Sequence, residues 1–464
     1  MLGKKQKVKV RKLIIMSNLT DTFINSIFDF SKKQFTQSNR HQAKRCLLDY
    51  LGVTIAGAQI LNNKTKLFID AMGTITGNIK VIGSNLNTSI ERAGFINGLN
   101  AHVAELDDGV ISGIVHPGSP VLSALIPYAQ KERVKGDDLI KGIIVGYEVT
   151  TSLADAIQPS HKLKGYHATA TCGAIGGAVA IASMLNFSID EMKNAFSIAA
   201  VSAFGTLKVL EDNSQLKPYN VAQAAQISIN SAAMARAGFM GPEDVLSGKR
   251  GFFEMLSDEI NLSFLNIQDN QKLAIERVYV KPYAACRYCH PVIDAALNIN
   301  KKHKLDLEKI ESIEVSTYEL AVKYHDHVLI DNISSAKMSI PYSVAIALTT
   351  NNAGINQFTD NYIYDKKISS LTKKVKVYSS DEFTKLFPIY SSAEIVIKTH
   401  CGDIIREKVL SPKGEPETPL SDDELMNKFL LLVHFNKIKE IDSGKVISTV
   451  FDIENNINKL FELL

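Results

Sequence analysis

The stretch Tyr283-Ala-Ala-Cys-Arg-Tyr-Cys-His290 carries CxxCH. These residue types at this spacing could attach a haem, supply half a zinc site, form a redox dithiol or line an organic active site. Covalent haem attachment at this motif belongs to exported chains. The basic run KKQKVKVRK is followed only by LIIM, too short an apolar stretch for a signal core, with no small-residue cleavage pattern after it. A structural zinc wants four ligands, and no second CxxC or HxxxH completes a set with Cys286, Cys289 and His290. A thioredoxin-type dithiol wants strand and helix alternating around it, which the flanking chain does not offer. Two ordinary thiols near a helix start remain the simplest reading of the motif taken alone.

Four clusters could carry chemistry, the last of them the opening stretch with its flanking cations. In AHVAELDDG (101–109) and IVHPGSP (114–120), Asp107, Asp108 and His116 converge on one loop. Carboxylates beside an imidazole suit general acid/base work or a divalent metal, and an ordinary capping loop would show the same residues. His167, in KGYHATAT, opens an apolar helix. There the dipole and free N–H groups lower its pKa, attract anions and make a neutral proton acceptor; a partly buried helix-start histidine is the competing reading. Lys217 precedes a small-residue helix, a cation set against the helix dipole and so against local preference. Lys281, Arg287 and His290, close to Cys286, would suit a small polycarboxylate, with a solvated basic loop as the alternative.

The elements that must position these groups follow from periodicity. From Asp21 to about residue 265 the apolar spacing is helical, and TATCGAIGGAVAIASML, apolar on all sides, should be a central helix. Only IKVIGS, near residues 79–84, reads as a strand in this half. Beyond residue 270 come ERVYVKPY, a helix over 290–303, the alternating IESIEVSTYEL, a helix around SIPYSVAIALTT, and KKVKVYSS. SAEIVIKTH and DIIREKVLS should pair as a hairpin through Cys401-Gly402. The fold class is therefore mainly α with α+β. A flexible basic extension covers 1–16, a large all-helical domain covers 17–270 and 412–464, and a smaller inserted α+β lid domain covers 271–411.

Composition removes several functions. Across 464 residues, 52 Lys and Arg against 49 Asp and Glu leave a formal charge of only +3. Outside the N-terminus there is no basic face, and with no Trp there is little sign of a base-stacking platform, so no nucleic-acid partner is expected. No apolar run reaches membrane-spanning length. The expected location is cytoplasmic, with the five cysteines reduced.

Taken in order, HVAELDDG…HPGSPVLSALIPYA, GYHATATCGAIGGA, SQLKPYNVAQAAQ, KPYAACRYCHPVIDAA and KMSIPYSVAIAL resemble the successive motifs of the MmgE/PrpD family, over roughly residues 20 to 460. That family includes 2-methylcitrate dehydratase, cis-aconitate decarboxylase and an iminodisuccinate epimerase. The resemblance implies a helical domain with an α+β lid, a homodimer, a small polycarboxylate substrate, and no metal, iron–sulfur cluster or other cofactor. It places Glu105, His116, His167, Lys217, Lys281, Cys286, Arg287 and Tyr342 in one site between the domains. Lys217, Lys281 and Arg287 would hold carboxylates, His167, His116 and Tyr342 would move protons, and Cys286 would line the pocket. Three positions depart from the decarboxylase pattern, which has Asp at Glu105, Thr at Gly109 and His at Cys286; the loop from Gly109 to His116 is also one residue longer. These departures argue against cis-aconitate decarboxylation. The expectation is a cofactor-independent lyase, a dehydratase of a citrate-like acid. An epimerase or isomerase of a dicarboxylate, with Cys286 as one of two acid/base groups, is the first alternative, and a non-catalytic carboxylate binder the second.

Overall fold

The helical periodicity becomes helices stacked around one apolar segment. The computed structural model describes residues 18–73, 76–211, 214–267 and 272–464. The basic segment 1–16 and the expected boundary at 270/271 lie outside them. In chain order the longer helices of the first part are α1 (Leu19–Ser31), α2 (Gln37–Met72), α3 (Ile90–Val103), α4 (Gly118–Glu132), α5 (Gly136–Ile157), α6 (Ala168–Met184), α7 (Ile189–Ser202) and α8 (Lys217–Arg236). Local chemistry starts several of them. The Thr36, Ser89 and Ser188 side chains accept the backbone N–H three residues on, satisfying donors that a helix start leaves orphaned. Every residue of α6 is buried, and α6 packs against α4, α5, α7 and α8. Such close neighbours require small residues: a Cβ on Gly176 would lie 1.8 Å from the Thr150 hydroxyl of α5.

The expected strand near 79–84 shrinks to β1 (Ile79–Lys80), paired antiparallel with β2 (Asn87–Thr88). Beyond residue 283 the alternating segments form a four-stranded mixed sheet in the order β4-β3-β5-β6. Its strands are β3 (Ile310–Thr317), β4 (Val375–Ser379), β5 (Ala393–Thr399) and β6 (Ile404–Val409). β4 runs parallel to β3, β5 antiparallel to it, and β5 and β6 form the hairpin expected at Cys401-Gly402, where Gly402 takes φ 89°. Helices α9 (His290–Lys302) and α10 (Ile340–Thr350) pack on this sheet. One apolar core runs from Phe23 through Ile143 and Val179 to Phe461. A second joins Val292, Ile313, Ile346 and Ile395, and reaches Val53, Ala104 and Leu106 of the helical part. The fold is thus mainly α with a small α+β portion.

The chain closes with α11 (Asp422–Phe435), α12 (Ser443–Phe451) and α13 (Ile453–Leu463). α11 and α12 pack on α2, and α13 packs on α5. Lys428 of α11 ties three pieces together: its Nζ lies 2.6 Å from Asp49 Oδ1 on α2 and 3.0 Å from the Leu106 carbonyl. Both side chains are buried, so removing one partner strands the other's charge. Lys428→Met should cost about 3–5 kcal/mol, because Asp49 is left unpaired in an apolar setting. Lys428→Met with Asp49→Leu should recover most of that loss in guanidinium unfolding. A double variant as unstable as the single one would mean that packing, not the stranded charge, sets the penalty.

Candidate active site

The loop joining α3 to α4 carries the first cluster, and its backbone is held under strain. Glu105 (φ 55°) and Ile114 (φ 45°) occupy the left-handed region, which non-glycine residues seldom adopt and β-branched ones least. Compensation comes from paired backbone hydrogen bonds between Gly109 and Tyr279 (3.2 and 2.9 Å) and between Val110 and Val115 (2.8 and 3.3 Å). A Cβ on Gly109 would lie 2.3 Å from the Tyr279 hydroxyl. The ring therefore occupies the space that a threonine at 109 would need.

The two aspartates of the loop do different work. Asp108 accepts hydrogen bonds from the Gly118 N–H (3.0 Å) and the Tyr147 hydroxyl (2.6 Å), and burial pushes its pKa up to about 7. It anchors the start of α4. Asp107 accepts from His102 Nδ1 and from the Ser119 hydroxyl, both at 2.7 Å. Burial would raise the Asp107 pKa, but His102, His116 and Lys281 overcome it and hold the carboxyl well below its usual range. Among the described residues, no group of three or more His, Cys, Asp or Glu side chains is placed to hold a metal ion.

Two lysines meet at Glu105. Lys217, at the first position of α8, places Nζ 2.5 Å from Glu105 Oε1, which accounts for a cation set against a helix dipole. Lys281 is fully buried, and its Nζ has no hydrogen-bond partner. Its nearest carboxylate oxygens, Glu105 Oε2 and Asp107 Oδ1, are 3.6 and 3.7 Å away. Burial alone would raise the Glu105 pKa; Lys217 and Lys281 reverse this and hold it far below the ordinary value. Lys162 and Lys337 stand close by, both drawn down to about 8 by burial.

The histidines have tautomers fixed by their partners. His116 Nδ1 lies 2.5 Å from the Asp108 carbonyl oxygen, which can only accept, so the Nε2 lone pair is left free. Burial, partly opposed by Asp107, lowers the His116 pKa to about 3 and keeps it neutral. Asn220 Nδ2 donates to the Thr206 carbonyl (3.1 Å), which orients the amide, and to His167 Nδ1 (3.3 Å). Neutral His167 therefore carries its proton on Nε2, and burial among His102 and Lys217 keeps its pKa well below 6.5. The His102 ring centroid is 5.2 Å from that of His116 and 5.8 Å from that of His167.

Glu105, His116, His167, Lys217, Lys281 and Cys286 line one cavity of about 500 Å³, a size suited to a small organic acid. Arg287 also borders it, but not as the free cation expected. Its Nε donates to Glu415 Oε1 at 2.8 Å, its Nη2 meets the same oxygen, its Nη1 reaches His290 Nδ1 at 2.8 Å, and the guanidinium lies 4.7 Å over the Tyr279 ring. Tyr342 is not brought to the cavity: it is 1% exposed in the second core, and its hydroxyl donates to the Gln357 carbonyl at 3.0 Å. Within CxxCH, Cys289 is fully buried and His290 Nε2 lies 3.1 Å from the Ala285 carbonyl. Only Cys286 of the two thiols reaches the cavity.

The sequence reading missed His102, Lys162, Tyr288 and His325. The last three line the cavity, with Lys162 Nζ 2.5 Å from the Tyr288 hydroxyl. His102 stands inside the quoted AHVAELDDG, where an imidazole five residues before Asp107 was the available signal.

Replacing Glu105 should expose its role through pH. Its folded-state pKa is depressed, so its contribution to stability is present above the ordinary value of 4.5 and disappears as pH falls below that. Glu105→Gln should lower the unfolding free energy at pH 7 by a few kcal/mol, because two buried lysines lose their shared counter-charge. The gap from wild type should narrow as the pH drops from 4.5 towards 2. Parallel stability curves for the two proteins across that range would remove the ionic cluster from the account.

Comparison with known proteins matches the geometry to a family. The MmgE/PrpD N-terminal domain matches residues 23–265, and the MmgE/PrpD C-terminal domain matches 283–442. The cis-aconitate decarboxylase of Mus musculus is 26% identical over 447 residues, covering 90% of this chain and 87% of its own. That of Aspergillus terreus is 24% identical over 451 residues, covering 91% of each. The 2-methylcitrate dehydratase of Escherichia coli O157:H7 is 22% identical over 361 residues, covering 74% of each. With its two domain models matched in order along most of its length, this chain belongs to the MmgE/PrpD family.

Proposed function

We propose that the chain is a cofactor-independent lyase that takes a small di- or tricarboxylate, removes a proton next to a carboxylate and eliminates water. The observation that carries this reading is Lys281, fully buried on the cavity wall with an ammonium group that no hydrogen bond satisfies. A substrate carboxylate would complete its donors. Lys162, Lys217, Lys281 and Lys337 outnumber the two low-pKa carboxylates Glu105 and Asp107 beside them. Asp108 is drawn up near neutrality and Arg287 is neutralised by Glu415. That excess suits a ligand with more than one negative charge.

The chemistry follows from the tautomers. His116 offers the Nε2 lone pair to a proton on the carbon beside the bound carboxylate, with its other nitrogen fixed on the Asp108 carbonyl. As the C–H bond breaks, negative charge spreads onto that carboxylate, and Lys281 and Lys217 are already in place to stabilise it. His167, neutral and protonated at Nε2, acts as a hydrogen-bond donor to the developing charge, in the way a low-pKa imidazole can. Dehydration is favoured over decarboxylation because the walls differ from the decarboxylase pattern at Glu105, Cys286 and Gly109, where Tyr279 fills the space.

The test is a panel of citrate, 2-methylcitrate, cis-aconitate and iminodisuccinate in deuterated water, followed by NMR and by alkene absorbance. The expected result is an unsaturated acid from a hydroxy acid, with His116→Asn slowing kcat by about 10²-fold or more. Deuterium entering a substrate without loss of water would instead establish an epimerase. No change in any acid, with a thermal shift on adding them, would leave only a binding role, and no shift either would remove the polycarboxylate reading. Dialysis against EDTA should not alter the rate; activity lost and then restored by Mg²⁺ or Fe²⁺ would overturn cofactor independence.

A further inference from the structure

The cavity has a second reactive wall that the reading above does not use. Cys286 sits immediately before the turn Arg287–Cys289, its N–H bound to the Lys337 carbonyl and its own carbonyl accepting the Cys289 N–H, both at 2.8 Å. Its sulfur lies 3.5 Å from His325 Nε2. His325 is fixed from the other side: its Nδ1 is 2.8 Å from the Lys323 carbonyl, an oxygen that can only accept, so Nε2 faces the sulfur with a lone pair. The backbone carbonyl of His325 accepts the Ile340 N–H at 2.8 Å, and the ring stands edge-on to Tyr288 at 5.1 Å. Tyr324, just before it, is held at φ 73°, a strained conformation for a tyrosine. Cys286 and His325 both line the cavity that holds Lys217 and the unsatisfied ammonium of Lys281.

We propose that Cys286 and His325 form a thiol–imidazole pair that shares one proton between Sγ and Nε2, and that this pair is the second proton-transfer group of the cavity. The first half of the statement stands on geometry; the second rests on the proposed lyase reading. In a dehydration the C–H proton goes to His116, and the leaving hydroxyl takes the shared proton of the pair and departs as water. Both groups then re-equilibrate with solvent, so atoms and charge balance. An alternative in which one histidine does both jobs leaves this oriented pair, with His325 buried and Cys286 half-buried, without a role.

Electrostatics supports the arrangement. Burial would raise the Cys286 pKa, but His325 and Lys217 outweigh it, with Glu105 opposing, and bring the thiol down to about 6. Lys162 also faces the sulfur. Around it stand the phenols of Tyr279, Tyr288 and Tyr318 and the thiol of Cys289, all raised by burial and so neutral at pH 7. The sulfur is therefore a thiolate at neutral pH, in contact with a cavity that attracts anions. An ordinary thiol titrates near pH 8.5 and is only slightly ionised there.

A charged electrophile reads this out without knowledge of the substrate. With iodoacetate, the sulfur bonds to the CH₂ carbon, the C–I bond breaks, iodide leaves with the electron pair and His325 keeps the proton. The whole protein is treated with iodoacetate or iodoacetamide between pH 5 and 9, and the Cys286 peptide is quantified by mass spectrometry separately from exposed Cys401. Three results are expected. Labelling of Cys286 reaches half its maximal rate near pH 6; iodoacetate is preferred over iodoacetamide by about tenfold relative to free cysteine; and His325→Gln moves the midpoint up by about one pH unit or more. A midpoint near that of an ordinary thiol, or one unmoved in His325→Gln, overturns the pair. For its role, Cys286→Ser and His325→Gln should each lower kcat on the acid that turns over by about 10²-fold with KM little changed. A kcat equal to wild type in folded Cys286→Ser overturns it. If no acid in the panel turns over, the lyase reading fails while the labelling still decides the pair.

Discussion

Burying an ammonium group without adequate partners costs about several kcal/mol, and this chain buries Lys281 completely while giving it carboxylates only at 3.6 and 3.7 Å. Glu105 carries most of the compensation, because one of its oxygens also takes Lys217. The shared carboxylate stands on backbone held at a positive φ, at the head of a loop pinned to Tyr279. It explains why a lysine can begin α8. Helices α3, α4 and α8 supply the rigid frame, and α11 reinforces it through Lys428, which grips the Leu106 carbonyl one residue past Glu105.

The same economy of charge separates groups of similar type. Asp107 and Asp108 are neighbours in sequence, yet one is held ionised by His102, His116 and Lys281, while the other, against Tyr147 and the start of α4, is drawn up to neutral pH. Lys281 and Arg287 are both buried cations near the cavity. Arg287 is committed to Glu415, and Lys281 is left with donors to spare. His116 and His167 are both neutral, yet opposite tautomers give one a free lone pair and the other an N–H. What a residue offers chemically here depends on which backbone carbonyl or amide lies behind it.

That dependence sets what could be read from sequence. Periodicity sufficed for α6, for the alternation of β3 and for the hairpin at Gly402, because burial pattern and turn chemistry are local properties. It overstated the strand at 79–84, where only Ile79 and Lys80 pair as strand, with Thr88 and Asn87. The motifs placed Glu105, His116, His167, Lys217, Lys281 and Cys286 around one cavity. The ion pair of Arg287 with Glu415 and the withdrawal of Tyr342 to the Gln357 carbonyl could not be read, because those partners lie at a distance or direction that no local pattern encodes. His325 was invisible for the same reason, standing 39 residues from the sulfur it touches.

The contact between Gly109 and Tyr279 has a consequence for how such a pocket can change over time. The two positions compete for one volume: a side chain at 109 and the phenol of Tyr279 cannot both be present in this arrangement. Any route to a bulkier residue at 109 must first pass through loss or withdrawal of the ring, which also stacks under Arg287. The order of substitutions is therefore constrained by sterics, and the two sites would behave as an epistatic pair. A wall of the pocket is remodelled in two coupled steps, with the first one unsupported by the second.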